Sequence, residues 1–306
     1  MNPMTDTVRQ RGAAASAPPA SNGAKAYAAG KATVELRGVS KGFGLEGERE
    51  EVVHDLSLTI TPGELTALVG PSGCGKSTIV NLVAGYERPD KGEILIDGRK
   101  VNGAGQDRMV VFQETALFPW LTTRQNITFG PRLRGDMPAA EIEAEADRLL
   151  ARVGLNEFRD KYPIQLSGGM QRRAELARAM MNRPRLMIMD EPFRGLDAMT
   201  RKLMQLFFLR LFEENRRTNL FVTSEIEEAI LLADRVVILS NRPTRVARIL
   251  EIDLPRPRDF HMLSSRQAYI YKREALSILH KEAQRGFAST GRDLDEAFAK
   301  RYGQTD

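Results

Sequence analysis

The sequence predicts an α/β fold built around a mostly parallel sheet. Three observations carry that expectation. Short apolar runs of strand length alternate with helical patterns along most of the chain. One run, "ELTALV", passes into a glycine-rich loop that opens a helix, and another, "RLMIMD", ends in an acid followed by a second one.

In chain order, residues 1–31 are rich in Ala, Ser, Pro, Gly and Asn with few apolar anchors. Such a stretch buries too little surface to offset its ordering entropy, so a disordered tail is expected. "TVELRGVSKGF" and "VVHDLSLTI" alternate apolar and polar residues, as half-buried strands do. "EILIDGRKV" reads as a hairpin with Asp97-Gly98 at its turn. Pro138 to Gly154 reads as a helix with Ile142, Ala146, Leu149 and Val153 on one face. "NLFVTS" is another buried strand before a helix, and "RVVILS" is expected to be the last strand. Beyond Asn241 the chain becomes proline-broken, then forms a charged helix over about Ser265 to Arg285 with Leu276, Leu279 and Ala283 on one face. The expected divisions are a tail (1–31), a main domain (32–240, with a helical part over about 114–165) and a C-terminal extension (241–306).

Composition removes several classes. The 306 residues are 42% hydrophobic and 28% charged, which is globular. No apolar run reaches the ~18 residues of a membrane-spanning helix, and the first residues lack the apolar core of a secretory signal. A single cysteine, Cys74, forms no internal disulfide and fits a reducing compartment. The net charge is +5, but basic and acidic residues are interspersed, which argues against a nucleic-acid partner.

"GPSGCGKST", residues Gly70, Pro71, Ser72, Gly73, Cys74, Gly75, Lys76, Ser77 and Thr78, has the spacing of a phosphate-binding loop between strand and helix. Gly73 and Gly75 allow a turn that points successive N–H groups at an anion. The helix start adds partial positive charge. Lys76 would reach the terminal phosphates and Ser77 would hold Mg²⁺. At the end of "RLMIMD", Asp190 is a second Mg²⁺ ligand candidate and Glu191 a candidate to polarise an attacking water. "LSGGMQRR" is a second glycine-opened helix start, so one chain carries two anion-type sites.

With "LSGGMQRR" in place, the chain resembles the ATP-binding cassette (ABC) ATPases, the motor subunits of ABC transporters, over about Val34 to Ser240. The resemblance implies a P-loop nucleotide hydrolase core of ABC type, with an N-terminal antiparallel β subdomain and a small helical subdomain. It implies ATP and Mg²⁺ as ligands. Gly70 to Thr78 matches Walker A, Asp190 the Walker B aspartate and Glu191 the catalytic glutamate. Gln113 matches the Q-loop glutamine that contacts Mg²⁺ and the membrane partner. Ser167, Gly168 and Gly169 match the signature that caps the ATP of a second cassette, and Gly195, Leu196 and Asp197 match the D-loop. Phe43 stands where an aromatic stacks on adenine. "LFPWLTTRQNI", "DEPFRGLDAMTR", "NRPTRV" and "DLPRPRD" resemble the nitrate/sulfonate/taurine importer group. The implied partners are a second ATPase subunit, in a homodimer or a mixed pair, integral membrane permease subunits and, indirectly, an extracytoplasmic solute-binding protein. The implied location is peripheral, on the cytoplasmic face of the inner membrane. Trp120 in "LFPW" reads either as part of the permease groove or as packing of the helical subdomain.

One position departs from the pattern. Ser224 stands where the family has a histidine beside the γ-phosphate, so the alternative is a regulatory or degenerate cassette with little hydrolysis. Ser224-x-x-Glu227 is expected to form a capping box on the helix "EIEEAILLA". With the other catalytic positions intact, a slow ATPase that drives uptake of a small solute is the expected function. His54, His261 and His280 are expected to be surface or packing residues.

Overall fold

A computed structural model describes residues 31–45 and 49–289. The expected disordered tail lies outside the described residues, apart from Lys31.

Strand β1 (Val34–Phe43) pairs antiparallel with both β2 (Glu50–Ile60) and β4 (Lys91–Ile96), and β5 (Arg99–Lys100) closes this four-stranded sheet through the Asp97-Gly98 turn. Asp97 and Gly98 both have positive φ, 49° and 73°, as a tight hairpin requires. The second sheet has the order β10-β9-β3-β8-β7-β6. In it β3 (Leu65–Val69), β6 (Arg108–Val111), β7 (Leu186–Asp190), β8 (Thr218–Thr223) and β9 (Arg235–Leu239) are mutually parallel.

The continuous apolar runs exist because both faces of this sheet are covered. Alternate residues enter different cores. Leu65, Ala67, Val69, Met187, Met189 and Phe221 face one side with helices α4 (Gly168–Met181), α5 (Ala198–Glu214) and α6 (Ile226–Leu232). Leu68, Ile188, Leu220 and Val222 face the other, with the antiparallel sheet and α1 (Lys76–Ala84). A third core joins α2 (Thr123–Arg134), α3 (Ala139–Arg152) and one face of α4, around Ile127, Leu149, Leu150 and Ala177. The α3 face anticipated from its periodicity, Ile142, Ala146, Leu149 and Val153, is buried.

Two expectations in the C-terminal region are corrected. "RVVILS" is not the last strand: β10 (Val246–Glu251) pairs antiparallel with β9 as an edge. Its exposed Arg248 and Glu251 suit an edge that avoids pairing with other chains, and prolines on either side masked it. Helix α7 (Arg266–Ser289) brings only part of the expected face inward: Leu279 packs against the core that holds α4, α5 and α6. Ala268, Ala275 and Glu282, spaced by seven, are buried, whereas Leu276 is 46% exposed. The small alanines allow close approach to the domain, and their low hydrophobicity hid that face.

Candidate functional site

Parallel register gathers the predicted residues at one edge of the six-stranded sheet. Val69 is opposite Thr223, Asp190 is opposite Val222, and Val111 is opposite Met189. Gly70, Ser224, Glu191 and the Phe112-Gln113 segment therefore leave the sheet side by side. The carboxyl ends of parallel strands are where open α/β sheets place ligands.

The loop from Gly70 to Thr78 turns through Gly73 at φ 76° and Gly75 at φ 114°, both in the left-handed region. A Cβ at Gly75 would also lie 2.9 Å from Val52 Cγ1 and 3.1 Å from Thr244 Oγ1, so space as well as backbone demands glycine there. Gly75 starts α1 without a side-chain cap. Lys76 is buried, and its Nζ donates to the carbonyls of Gly70 at 2.9 Å and Pro71 at 3.1 Å. Cys74 is buried and its thiol is pushed up by burial, so it is an inert packing group. Pro71 is half-buried; Ser72 and Ser77 are exposed at the loop surface, with Thr78 half-buried behind them.

Burial raises the Asp190 carboxyl above the ordinary aspartate range, adjacent Glu191 adds to this, and Ser77 and Lys76 oppose it. Glu191 itself sits at φ 44°, a left-handed conformation costly for a side chain with a Cβ. Its N–H donates to Val222 O at 2.9 Å, which ties this strained residue to β8. Its carboxylate Oε2 accepts from Arg194 Nη1 at 2.8 Å.

Gln113 is exposed, and its backbone is held from α4. Arg172 Nη1 donates to Phe112 O at 2.8 Å and Nη2 to Gln113 O at 2.5 Å. Arg172 is paired with Glu175 at 2.5 Å, with side chains 3% and 2% exposed. Glu175 also accepts from Ala116 N, and Arg178 donates to Ala116 O. Helix α4 thus holds the segment carrying Gln113 by four side-chain contacts to its backbone.

Ser167 is the N-cap of α4 and accepts from Met170 N. Gly168 and Gly169 lie against Leu196 and Thr200, where a Cβ on Gly169 would come within 2.8 Å of Thr200 Cγ2. Asp197 caps α5 and accepts from the N–H groups of Met199 and Thr200, and hydrogen bonding by Thr200 holds its carboxyl below the usual range. These residues form a second exposed surface, carried by α4 and the start of α5 rather than by the sheet edge.

Phe43 ends β1, is 42% exposed, and has Lys41 Nζ 5.2 Å from its ring. Trp120 is 70% exposed on the helical layer and touches Phe118 at 5.6 Å between ring centroids. It is not a core residue of that layer.

The expected capping box at Ser224 does not form. Glu225 occupies the N-cap of α6 without a side-chain cap bond, and Thr223 Oγ1 accepts the Glu225 N–H. Helix α6 begins one residue later than the box requires, so the N-cap place falls to Glu225, and Ser224 is left exposed between strand and helix. Thr223 also hydrogen-bonds Glu228, a 6% exposed acid raised by burial that accepts from Gln205 Nε2 at 2.6 Å.

Sequence reasoning missed Arg194, Arg172 with Glu175, and the grip of Arg242 and Thr244 on the phosphate loop. The i, i+3 opposite charges of Arg172 with Glu175 and of Glu191 with Arg194 were the local signals available. Of the histidines, His54 pairs with Glu51 on β2, and none of the three stands at the sheet edge just described.

Known proteins resemble this chain in sequence and in fold. The family described as "ABC transporter" matches residues 53–194. An uncharacterized ABC transporter ATP-binding protein of Methanocaldococcus jannaschii is 41% identical over 252 residues, 82% of this chain and 93% of that protein. A taurine import ATP-binding protein of Jannaschia sp. is 43% identical over 69% of this chain and 79% of its own length. A nitrate import ATP-binding protein of Synechococcus elongatus is 42% identical over 78% of this chain, which spans only 37% of that longer protein. A solved ATP-binding cassette, a dimer in a post-hydrolysis state bound to ADP and Pi, superposes with TM-score 0.63 at 31% identity, over 72% of this chain and all of its own.

Proposed function

This chain belongs to the ABC transporter family as an ATP-binding subunit, and on that premise we propose which of its residues carry the reaction. It is an ATPase of the importer type, and the reading as a non-hydrolysing regulatory cassette is not favoured.

In this reading Gly70 to Thr78 wraps the terminal phosphates of ATP with backbone N–H groups, and Lys76 leaves its loop carbonyls to neutralise charge on the β- and γ-phosphates. Phe43 stacks on the adenine. Glu191 accepts the hydrogen bond and then the proton of the attacking water, whose oxygen bonds to the γ-phosphorus as the bond from that phosphorus to the β,γ-bridging oxygen breaks, and the products are ADP and phosphate. Gln113 and Ser224 border that water. The residues present fit Mg²⁺: Ser77 stands close enough to Asp190 to favour its charged form, and with Gln113 they supply hard oxygen donors. When bound, the ion offsets phosphate charge.

A second cassette completes the site. Ser167, Gly168, Gly169 and Asp197 would face the nucleotide of the partner, in keeping with their exposed surface away from the sheet edge and with the dimeric neighbour. Exposed Trp120 belongs to the surface that meets the membrane permease subunits. The nitrate and taurine relatives support uptake of a small solute delivered by a solute-binding protein, with this chain peripheral on the cytoplasmic face of the membrane.

The observation that carries this reading is the register that sets Gly70, Asp190, Glu191 and Ser224 on one sheet edge. Glu191→Gln tests it. The variant should bind Mg-ATP as the parent does, lose turnover, and sediment as a dimer with Mg-ATP. A variant that remains monomeric and hydrolyses at the parent rate would sink both the role of Glu191 and the two-cassette site.

A further inference from the structure

The phosphate loop is gripped from outside its own motif. Between β9 and β10 the chain makes a turn, Asn241–Arg245, whose ends are closed by hydrogen bonds between Ser240 and Arg245. Arg242 Nε donates to Gly73 O at 2.6 Å, and its Nη1 donates to Glu50 Oε1 at 3.1 Å. Thr244 is fully buried, and its hydroxyl donates to Cys74 O. Its backbone is locked to β2, by Thr244 N to Val52 O at 2.8 Å and His54 N to Thr244 O at 3.1 Å.

These two bonds act on the loop's donors. A trans peptide plane holds its N–H and C=O antiparallel. Drawing the Gly73 carbonyl towards Arg242 and the Cys74 carbonyl towards Thr244 therefore sets the Cys74 N–H onto Pro71 O, 3.2 Å away within the loop, and directs the Gly75 N–H away from the turn. Thr244 stands 3.1 Å from where a Gly75 Cβ would be, so the turn also limits how far the loop can relax outward.

The turn is in turn held by the C-terminal helix. Glu282 of α7 is 7% exposed, and its Oε2 accepts the Asn241 N–H at 3.1 Å. Its Oε1 is paired with Arg285 at 2.6 Å. One helical turn on, Gly286 packs directly on Asn241, where a Cβ would fall 2.5 Å from Asn241 Nδ2. A buried carboxylate committed to a backbone N–H is a costly arrangement unless the contact is held firmly. It forms an unbroken path of contacts from α7 through Asn241 to Gly73 and Cys74.

We infer that the C-terminal helix sets nucleotide affinity through this path. Glu282, Arg242 and Thr244 are positioning residues for the phosphate loop, and displacement of α7 weakens ATP binding without touching the reacting atoms. The inference rests on the reading of Gly70 to Thr78 as the ATP site, and Lys76→Ala separates the two.

The test measures Mg-ATP affinity and saturating turnover in the full chain. Lys76→Ala should abolish binding, and if it does not, the site assignment fails first. Glu282→Leu should weaken Mg-ATP binding about 5- to 20-fold, a normal range for coupling between sites, with turnover at saturating ATP within about twofold, since no reacting group moves. Glu282→Gln keeps an oxygen acceptor for Asn241 and should retain parent affinity. Gly286→Val, which wedges the helix off Asn241 and leaves Glu282 intact, should reproduce the Glu282→Leu loss. Arg242→Ala should weaken binding, and adding Glu282→Leu to it should cost little more, because both act along one path. Parent affinity in both Glu282→Leu and Gly286→Val, or full additivity of Arg242→Ala with Glu282→Leu, would overturn the inference. Should Glu282→Leu not fold, Gly286→Val and the double variant Gly286→Val with Arg242→Ala decide the question alone.

Discussion

Arg194 and Glu191 form an ion pair of 2.8 Å in which the acid is almost buried and the base largely exposed, with side chains 11% and 61% accessible. The two residues lie three apart on the turn that leaves β7, and Arg194 N also donates to Glu191 O. The arginine fixes one carboxylate oxygen and leaves the other to meet a water.

Arg194→Ala should therefore lower turnover, by roughly three- to tenfold, as expected for a lost positioning contact. The KM for ATP should change little, and Arg194→Lys should recover part of the rate. Steady-state kinetics checks this. Faster turnover in the alanine variant would mean that the pair restrains Glu191 instead.

Ser224→His should raise turnover about tenfold, the scale of one well-placed donor. The substitution removes no helix cap, because Thr223 and not Ser224 accepts the Glu225 N–H, so the folding midpoint should stay near that of the parent. Ser224→Ala is the control. Equal rates for alanine, serine and histidine would show that the step does not pass through this position.

Glu228 gives a pH dependence with a definite sign. Burial raises its carboxyl in the fold, with Thr223 and Gln205 only partly offsetting this. In the unfolded chain it ionises near the ordinary value, about 4.3. Between those two values the unfolded state has released a proton that the folded state keeps. Its contribution to stability is thus full below the unfolded value and falls as pH rises towards the folded one. Glu228→Gln should be more stable than the parent at pH 8, and the difference should shrink towards pH 4. Thermal midpoints of both proteins across that range test it, and a difference that grows on acidification would contradict it.

The Arg172–Glu175 pair should be costly to break and cheap to replace. Arg172→Leu leaves the buried Glu175 carboxylate with only the Ala116 N–H and the more distant Arg178, 3.8 Å away, and should cost about 3 kcal/mol. Arg172→Met with Glu175→Leu should recover most of that stability. It should still impair ATP-driven uptake in the assembled transporter, because Phe112 and Gln113 lose the donors that tie them to α4. Denaturant unfolding and reconstituted transport separate the two effects, and uptake at the parent rate in the double variant would remove Arg172 from the coupling path.

What was legible in the sequence is local. Gly70 to Thr78 announces its own turn, because the glycines, the lysine and the flanking strand and helix are contiguous. Asp190 and Glu191 stand out because two adjacent acids are a poor end for an apolar strand. The buried face of α3 follows from a 3.6-residue period. These features depend on residues within a few positions of one another, so a single chain segment states them.

The rest required the fold. β3 lies between β8 and β9, each some 150 or more residues away in sequence, and only that pairing sets Ser224 and Glu191 beside the phosphate loop. Ser224 lost its capping role because α6 starts only at Ile226 and Thr223, the last residue that β8 pairs with β3, accepts the Glu225 N–H from its side chain. The inner face of α7 went to Ala268, Ala275 and Glu282 because close packing rewards small residues that a hydrophobicity count passes over. The hold of Arg242 and Thr244 on the carbonyls of Gly73 and Cys74 spans about 170 residues of sequence. Backbone carbonyls have the same chemistry at every position, so no residue type in the loop signals which side chain will reach it; that is decided when β9 and β10 bring their turn against the loop.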